Sequence, residues 1–182
     1  MVEMGLHIAM LSAEYPPRWG GMGSTVYHLS AALAELGHRI TVITRDGGGK
    51  SLEQEGVNIR EVKWLYAPMA FTRSYGKNAI KALKKVNSNN LIDIIHLHCP
   101  LIALTSKEIL SLRENIAPVI TSLHGSWLGE RDGIIAARKQ KESAVWKNPS
   151  TVAAPGSDLT RKSFSHAVKD SIIAVSYTHL TL

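Results

Sequence analysis

Apolar positions along the chain switch between two spacings, and the switches predict strands and helices in alternation. Short apolar runs of strand length lie at residues 6–12, 39–45 and 57–64. The run at 91–100 is nearly continuous and stops at Pro100, as expected of a strand covered by helices on both faces. Two further strands are predicted within 118–125 and 170–176.

Helical spacing appears between these runs. From Ser24 onward, apolar residues recur every three or four positions, with Ser24 or Thr25 as the predicted N-cap and Gly37 as the predicted end. Residues 46–56 are predicted to be a flexible connection and 148–158 a loop. The other predicted helices cover 74–90, about 101–113, 126–147 and a segment capped by Ser157.

The alternation predicts an α/β fold, a Rossmann-like, doubly wound and mostly parallel sheet with helices on both faces. Ligands of such sheets bind outside the carboxyl ends of the strands, which is where the segment "EYPPRWGGMGST", Glu14 to Thr25, falls. Glycines there let the backbone approach a ligand, and a helix start favours phosphate. The alternative is a turn in which proline and glycine only reverse the chain direction.

Composition narrows the class of protein. The chain has 182 residues, 45% of them hydrophobic and 20% charged, which is typical of a globular protein with one domain. A net charge of +6 favours anionic partners, but the basic residues are scattered, so no nucleic-acid partner is predicted and peripheral membrane contact stays open. With one cysteine, Cys99, and no apolar leader, we expect a cytoplasmic protein.

Two common nucleotide-binding motifs fit poorly. Gly21 and Gly23 form a G-x-G, and Asp46 ends the second strand, but the third glycine of a dinucleotide fingerprint is replaced by Val26 and the loop is too long. The "GKS" at 49–51 follows the second strand and leads into no clear helix. Neither motif is therefore favoured.

Histidines mark the ends of two predicted strands. His96 and His98 are one strand period apart and should lie on the same face, which with His124 raises the hypothesis of a metal site. No carboxylate or thiolate is spaced to complete it, because Cys99 should face the other way. We therefore predict no metal site, and we expect His96 to belong to the core.

The segment "LSAEYPPRWGGMGSTVYHLSAALAELGHRITVITR" resembles the amino-terminal signature of glycosyltransferase family 4 and of glycogen-synthase-like enzymes. These enzymes share the GT-B fold of two facing Rossmann-like domains. The segments "DIIHLHCP", "TSLHG" and "IIAVS" are similar to further family motifs in the same order, over residues 6–176. The resemblance implies retaining transfer of a sugar from a UDP-, ADP- or GDP-sugar to a glycan, lipid or small acceptor, without a tightly bound cofactor.

The same resemblance implies that residues of the segment Glu14–Thr25 bind the sugar donor. Arg18 stands at the position of the family's lysine and could hold a donor phosphate. Gly20 and Gly21 would offer their N–H groups to the diphosphate or the transferred sugar. Glu14 is a candidate carboxylate of the donor cleft.

Further roles follow for the later motifs. His124 matches the family histidine at the transferred sugar, where the imidazole or its neighbouring carbonyl binds a hydroxyl and favours developing positive charge, so it is the predicted catalytic residue. His98 is expected to touch the acceptor cleft, and Trp127 to contribute acceptor surface.

The resemblance also implies a domain organisation. Residues 1–176 are expected to form the acceptor-side N-terminal domain, and 177–182, "YTHLTL", a non-native or truncated tail. The C-terminal donor-binding domain is expected to be absent from this chain and to be its partner, so the chain alone would be inactive or nearly so. The competing hypothesis is a complete, non-catalytic α/β module that binds a phosphorylated ligand.

Overall fold

A five-stranded sheet in the order β3-β2-β1-β4-β5 organises the first part of the chain. The structure is a computed structural model that describes residues 5–17, 20–47, 51–66, 71–98, 103–124 and Gln140. All four strand pairings are parallel, which confirms the predicted Rossmann-like sheet. The elements are β1 (His7–Leu11), α1 (Gly21–Glu35), β2 (Arg39–Arg45), β3 (Val57–Val62), α2 (Phe71–Asn89), β4 (Ile94–His98), α3 (Ser106–Asn115) and β5 (Val119–Ser122).

Contacts between backbone positions divide the chain into two units. The first, Met1–His124, holds every element named above. Of the second, Gly125–Leu182, the structure describes Gln140 alone. The helices predicted at 126–147 and after Ser157, the loop at 148–158 and the strand at 170–176 therefore lie outside the described residues.

Alternate residues of β1 face two separate hydrophobic cores. Ile8 and Met10 pack with Val26 of α1 on one face of the sheet. Ala9 and Leu11 belong to the core on the other face, which α2 and α3 cover through residues that include Ala79, Leu83 and Leu112. Because a strand presents successive side chains to opposite faces, this split shows helices on both sides, as the apolar runs predicted.

The start of α1 differs from the prediction. The helix begins at Gly21 with Gly20 as its N-cap, four or five residues before the predicted N-cap at Ser24 or Thr25. The Ser24 N–H donates to the Gly20 carbonyl at 2.9 Å, and the Thr25 hydroxyl donates to the Gly21 carbonyl at 2.9 Å. The hydroxyl of Thr25 therefore bonds back into the first turn. The predicted end is confirmed, because Gly37 follows the helix in the left-handed region at φ 88°.

The described helix α3 begins at Ser106; of the predicted stretch before it, residues 101 and 102 lie outside the described residues and Ala103 is helical. Thr105 is its N-cap and forms a capping box with Glu108. The Glu108 N–H donates to the Thr105 hydroxyl at 3.3 Å, and the Thr105 N–H donates to the Glu108 carboxylate at 2.7 Å. These reciprocal bonds satisfy two backbone donors and set the first turn at Ser106.

An ion pair ties α2 to the segment that follows β4. The Arg73 guanidinium donates to both Glu108 carboxylate oxygens, at 2.8 and 3.1 Å, and to the Ala103 carbonyl at 2.6 Å. The hydrogen bond from Arg73 lowers the pKa of Glu108 to about 2, against the opposing effect of burial and helped by bonds from Thr105. The pair stabilises the fold only while the carboxylate is ionised.

Glu108→Gln should destabilise the fold by about 1 kcal/mol at neutral pH, because the side chains of Arg73 and Glu108 are 36% and 28% exposed and solvent screens the pair. Since the folded-state pKa is lowered, the difference from the wild type should be fully present above the ordinary pKa of 4.5 and shrink as the pH falls toward about 2. Urea unfolding at a series of pH values measures it. A difference that does not change with pH would contradict the pair's role.

Gly76→Ala should destabilise the fold by about 1–3 kcal/mol, because there is no room for a methyl group. A Cβ at Gly76 would lie 2.6 Å from the Ala103 carbonyl carbon and closer still to its oxygen. Gly21→Ala is the matched control, since a Cβ there meets nothing within 4 Å. Equal urea midpoints for the two variants would show that α2 can move away from Ala103.

Candidate functional site

The strand order reverses beside β1, and this point defines the candidate site. From β1 the chain proceeds to β2 and β3 on one side, and later to β4 and β5 on the other. Open α/β sheets bind ligands at this switch point, outside the carboxyl ends of the strands. Because Leu11 pairs with Leu97, the loop that starts at Ser12 leaves the sheet beside His98.

A tight turn at Ser12 directs the loop after β1. The buried Ser12 hydroxyl donates to the Glu14 carbonyl at 2.7 Å and accepts from the Glu14 N–H at 3.3 Å. The Ser12 N–H donates to the Ile43 carbonyl at 3.1 Å. These bonds place Glu14 at the carboxyl edge of the sheet. The sequence prediction did not include Ser12; its signal was a serine directly after an apolar strand.

The connection between β2 and β3 holds the same loop from the other side. The buried Tyr15 hydroxyl donates to the Gln54 side-chain oxygen at 2.6 Å, and the Ser30 hydroxyl donates to it at 2.9 Å. The Gln54 amide donates to the Tyr27 carbonyl at 3.0 Å. Within the predicted connection at 46–56, Gln54 thus joins the segment to α1 and to the loop.

The amino terminus of α1 is open at this edge. Gly20 provides no side-chain cap, and the first turn carries no acidic residue. The N–H groups of Gly21 and its two successors have no acceptor within the helix, so they and the helix dipole favour an anion. The Glu14 carboxylate packs against Gly20, where a Cβ would lie 3.2 Å from the Glu14 carboxyl carbon. Glycine at position 20 therefore leaves room for that carboxylate.

Three histidines lie together on the other side of the switch point. The ring centroids of His96 and His98 are 4.2 Å apart, and those of His98 and His124 are 5.2 Å apart and stacked. His98 Nδ1 and His124 Nε2 share a hydrogen bond of 2.9 Å, whose donor depends on the tautomers. His96 Nε2 and the Ser122 hydroxyl share another, at 2.8 Å. The cluster joins the ends of β4 and β5.

Burial differs among these rings in a way that the sequence did not predict. His98 is only 4% exposed and His124 is exposed, whereas His96, expected in the core, is only partly buried. The predicted common face of His96 and His98 is confirmed by their ring contact. The Nε2 atom of His98 is buried and has no hydrogen-bond partner among the described residues.

Burial favours the neutral form of two rings in the cluster, His96 and His98. Burial lowers the pKa of His98 to about 3, and the positive charges that His96 and His124 would carry add to this shift. Burial also lowers the pKa of His96, with His124 as the second cause. His98 is therefore a neutral ring at neutral pH. Within the described part of the chain, no group of three or more His, Cys, Asp or Glu residues could hold a metal ion.

The ring of His98 should stay neutral as the pH is lowered from about 8 to about 5, because its pKa lies far below the usual range. Nitrogen chemical shifts of the imidazole in NMR spectra report this directly. In His124→Gln the ring should still resist protonation, since burial is the larger cause. A midpoint near the ordinary value of 6.5 in the wild type would contradict the buried geometry.

Comparison with known families decides the class of protein. Residues 19–178 match the model of Glycosyltransferase Family 4. The chain belongs to Glycosyltransferase Family 4. The strand order and the open start of α1 agree with the GT-B half that the resemblance implied.

Relatives of this family 4 chain include larger enzymes. It is 27% identical over 158 residues to a protein named glycogen synthase from Mycobacterium tuberculosis, covering 75% of this chain and 38% of that protein. It is 29% identical over 98 residues to the phosphatidylinositol N-acetylglucosaminyltransferase GPI3 subunit of Saccharomyces cerevisiae, covering 52% and 22%. A solved structure titled as the glycotransferase of kitacinnamycin matches with 16% identity and a TM-score of 0.47, covering 82% and 38%. The chain thus spans well under half the length of these relatives.

The structure describes most of the predicted site residues of the family 4 chain. Glu14, Gly20 and Gly21 lie together at the start of α1, while His98 and His124 are in contact at the ends of β4 and β5. Arg18 and Trp127 lie outside the described residues. Among the helices described, none is both long and apolar enough to cross a membrane.

Proposed function

We propose that this chain is the acceptor-side, N-terminal part of a retaining glycosyltransferase that moves a sugar from a nucleotide-sugar donor to a glycan, lipid or small acceptor. The observation that carries the proposal is the arrangement at the switch point. An uncapped helix start, suited to a diphosphate, lies on one side of it, and the hydrogen-bonded pair of His98 and His124 lies on the other. Membership of Glycosyltransferase Family 4 supports the reaction class.

On the donor side, the proposed task is to hold the leaving diphosphate. The free N–H groups at Gly20 and Gly21 and the dipole of α1 would stabilise the negative charge that grows as the sugar leaves. Arg18 would add a guanidinium for the phosphate oxygens. Glu14 repels phosphate, so its carboxylate beside Gly20 is better suited to accept a hydrogen bond from a hydroxyl of the donor sugar.

On the sugar side, the proposed catalytic residue is His124. Its ring is exposed, and its Nε2 is held by His98, so it can present the other ring nitrogen or its carbonyl to a hydroxyl. Positive charge develops on the sugar in the transition state of glycosyl transfer. A neutral His98 adds no repulsion there, and its Nε2 atom, which has no partner among the described residues, could bind an acceptor hydroxyl.

The length of the relatives supports a division of labour. The match covers 38% of the glycogen synthase of Mycobacterium tuberculosis, so most of that enzyme has no counterpart in this chain. We therefore propose that the nucleotide of the donor is bound mainly by a C-terminal domain and that residues 1–176 supply the acceptor side. Both domains would contact the sugar of the donor, and the enzyme would need no tightly bound cofactor.

Arg18→Ala and His124→Ala should each reduce sugar transfer about 100-fold in the whole enzyme, because each removes a group placed at developing charge. Transfer from UDP-, ADP- and GDP-sugars to a panel of acceptors is the measurement. Arg18→Ala should also raise KM for the donor, whereas His124→Ala should act mainly on kcat.

Lys107→Ala is the control variant, since this lysine is exposed on α3 and is none of the residues assigned to the site. Equal rates in Arg18→Ala, His124→Ala and Lys107→Ala would contradict the assigned roles. If the whole protein binds nucleotide sugars but transfers none to any acceptor, the non-catalytic hypothesis replaces the proposed function.

A further inference from the structure

A cavity of about 430 Å³ lies at the end of the sheet opposite to the candidate site. It opens between the C-terminal half of α2 and one face of β2 and β3, close to the residues with which β1 and β2 begin. None of the site residues assigned above lines it. The residues that matter for its chemistry are His7, Thr41, Asn58, Arg60, Lys85 and Asn89.

Polar residues create this space where a helix would otherwise cover a strand. Val62 of β3 is buried in the core that α2 covers. Asn58 and Arg60 precede Val62 by four and two residues, so they lie on the same face of the strand. Both remain exposed and line the cavity, with Lys85 and Asn89 of α2 across from them. The lining is therefore polar on the strand side and on the helix side.

The lining has unused positive charge. Neither the Arg60 guanidinium nor the Lys85 ammonium forms a hydrogen bond or ion pair with another described residue. Glu61, the one carboxylate among the described lining residues, instead accepts a hydrogen bond from the Ser51 N–H at 3.0 Å and another from its hydroxyl. Ser51 does not line this cavity. With Arg39, whose guanidinium donates to the Asn90 side-chain oxygen at 3.4 Å, three cations thus line the space without a paired carboxylate among the described residues.

Of the other polar groups that line the cavity, some are already hydrogen-bonded within the protein and some can still bond to a ligand. His7 is buried, with its ring bonded to the Leu91 carbonyl at 2.8 Å and the Thr41 hydroxyl at 2.9 Å, so it forms a rigid floor. The side-chain amides of Asn58 and Asn89 have no partner among the described residues. They can therefore donate to a ligand oxygen.

We propose that this cavity binds the phosphate group of a small phosphate ester. A guanidinium forks onto two phosphate oxygens and an ammonium adds a point charge, so Arg60 and Lys85 together match a phosphate dianion. The amides of Asn58 and Asn89 would donate to the remaining oxygens. The volume falls within the range of small-molecule pockets, about 300–1,000 Å³, and leaves room for an organic group of sugar size. This site is independent of the proposed sugar transfer.

Amide NMR spectra of the 182-residue chain, titrated with inorganic phosphate against chloride at constant ionic strength, test the proposal. Saturable shifts are expected at Thr41, Asn58 and Asn89. Gly21 and Gly23 serve as separate reporters of phosphate at the start of α1. Because the two sets of amides are distinct, failure of this site and failure of the donor loop give different spectra.

Arg60→Gln combined with Lys85→Gln should weaken the phosphate response at Asn58 about tenfold or more and leave the glycine amides of α1 unchanged. Lys81→Gln combined with Lys84→Gln is the matched control, since both lysines are exposed on α2 and do not line the cavity. It removes the same net charge. Equal thermal midpoints for both pairs confirm that the fold is intact.

Three outcomes would overturn the proposal: no saturable shift at Thr41, Asn58 and Asn89, shifts confined to the glycines of α1, or equal weakening by both variant pairs.

A second experiment distinguishes the source of the phosphate. Sedimentation with phosphatidylcholine vesicles, with and without phosphatidic acid, would identify a lipid headgroup if binding needs the acidic lipid and is lost only in the Arg60 and Lys85 pair. Phosphate binding without sedimentation identifies a soluble ester.

Discussion

Burial of β1 on both faces is the constraint on which the described structure depends. Five consecutive buried residues, His7–Leu11, can be covered only if helices lie on both sides of the sheet and strands pair at both edges. Two cores result, one with α1 and one with α2 and α3. Because β2 and β4 pair with opposite edges of β1, the strand order reverses at β1. The position of this strand therefore sets the switch point.

The polar groups close to β1 show how such a sheet can hold a site. Burying a polar atom is costly unless it finds a partner, and His7, Ser12 and Ser30 all form hydrogen bonds. These bonds fix the loop after β1 and the start of β2. The buried Nε2 of His98 departs from this pattern, since no described residue satisfies it. A buried atom of this kind needs a partner from beyond the described residues.

The sequence predicted elements better than their ends, and the reasons are local. β2 was predicted at its observed residues, Arg39–Arg45, because five β-branched residues lie between two arginines and give the strand sharp limits. The start of α1 was placed too late because Gly20 caps it without a side chain. For α3, the capping box of Thr105 and Glu108 sets a helix start at Ser106 that the apolar pattern did not indicate.

For the site, the two-residue period identified the common face of His96 and His98, since that relation is local. The bond between Tyr15 and Gln54 joins residues 39 positions apart, and the pair of Arg73 and Glu108 joins residues 35 apart. Neither partner has a periodicity that points to the other. Tertiary packing alone brings them together, so only a structure could show how the loop and the end of β4 are held.

The two ends of the sheet offer anions different kinds of binding. At the carboxyl end of β1, the donors are backbone N–H groups and a helix dipole, fixed in place by secondary structure. At the amino end, the donors are the long side chains of Arg60 and Lys85, which must lose conformational freedom to bind. The side chains of Arg60 and Lys85 carry full, exposed charges that salt screens, whereas the backbone groups carry only partial charges. Phosphate binding at the amino end should therefore depend more steeply on ionic strength than binding at the start of α1, which gives the two sites separate physical signatures.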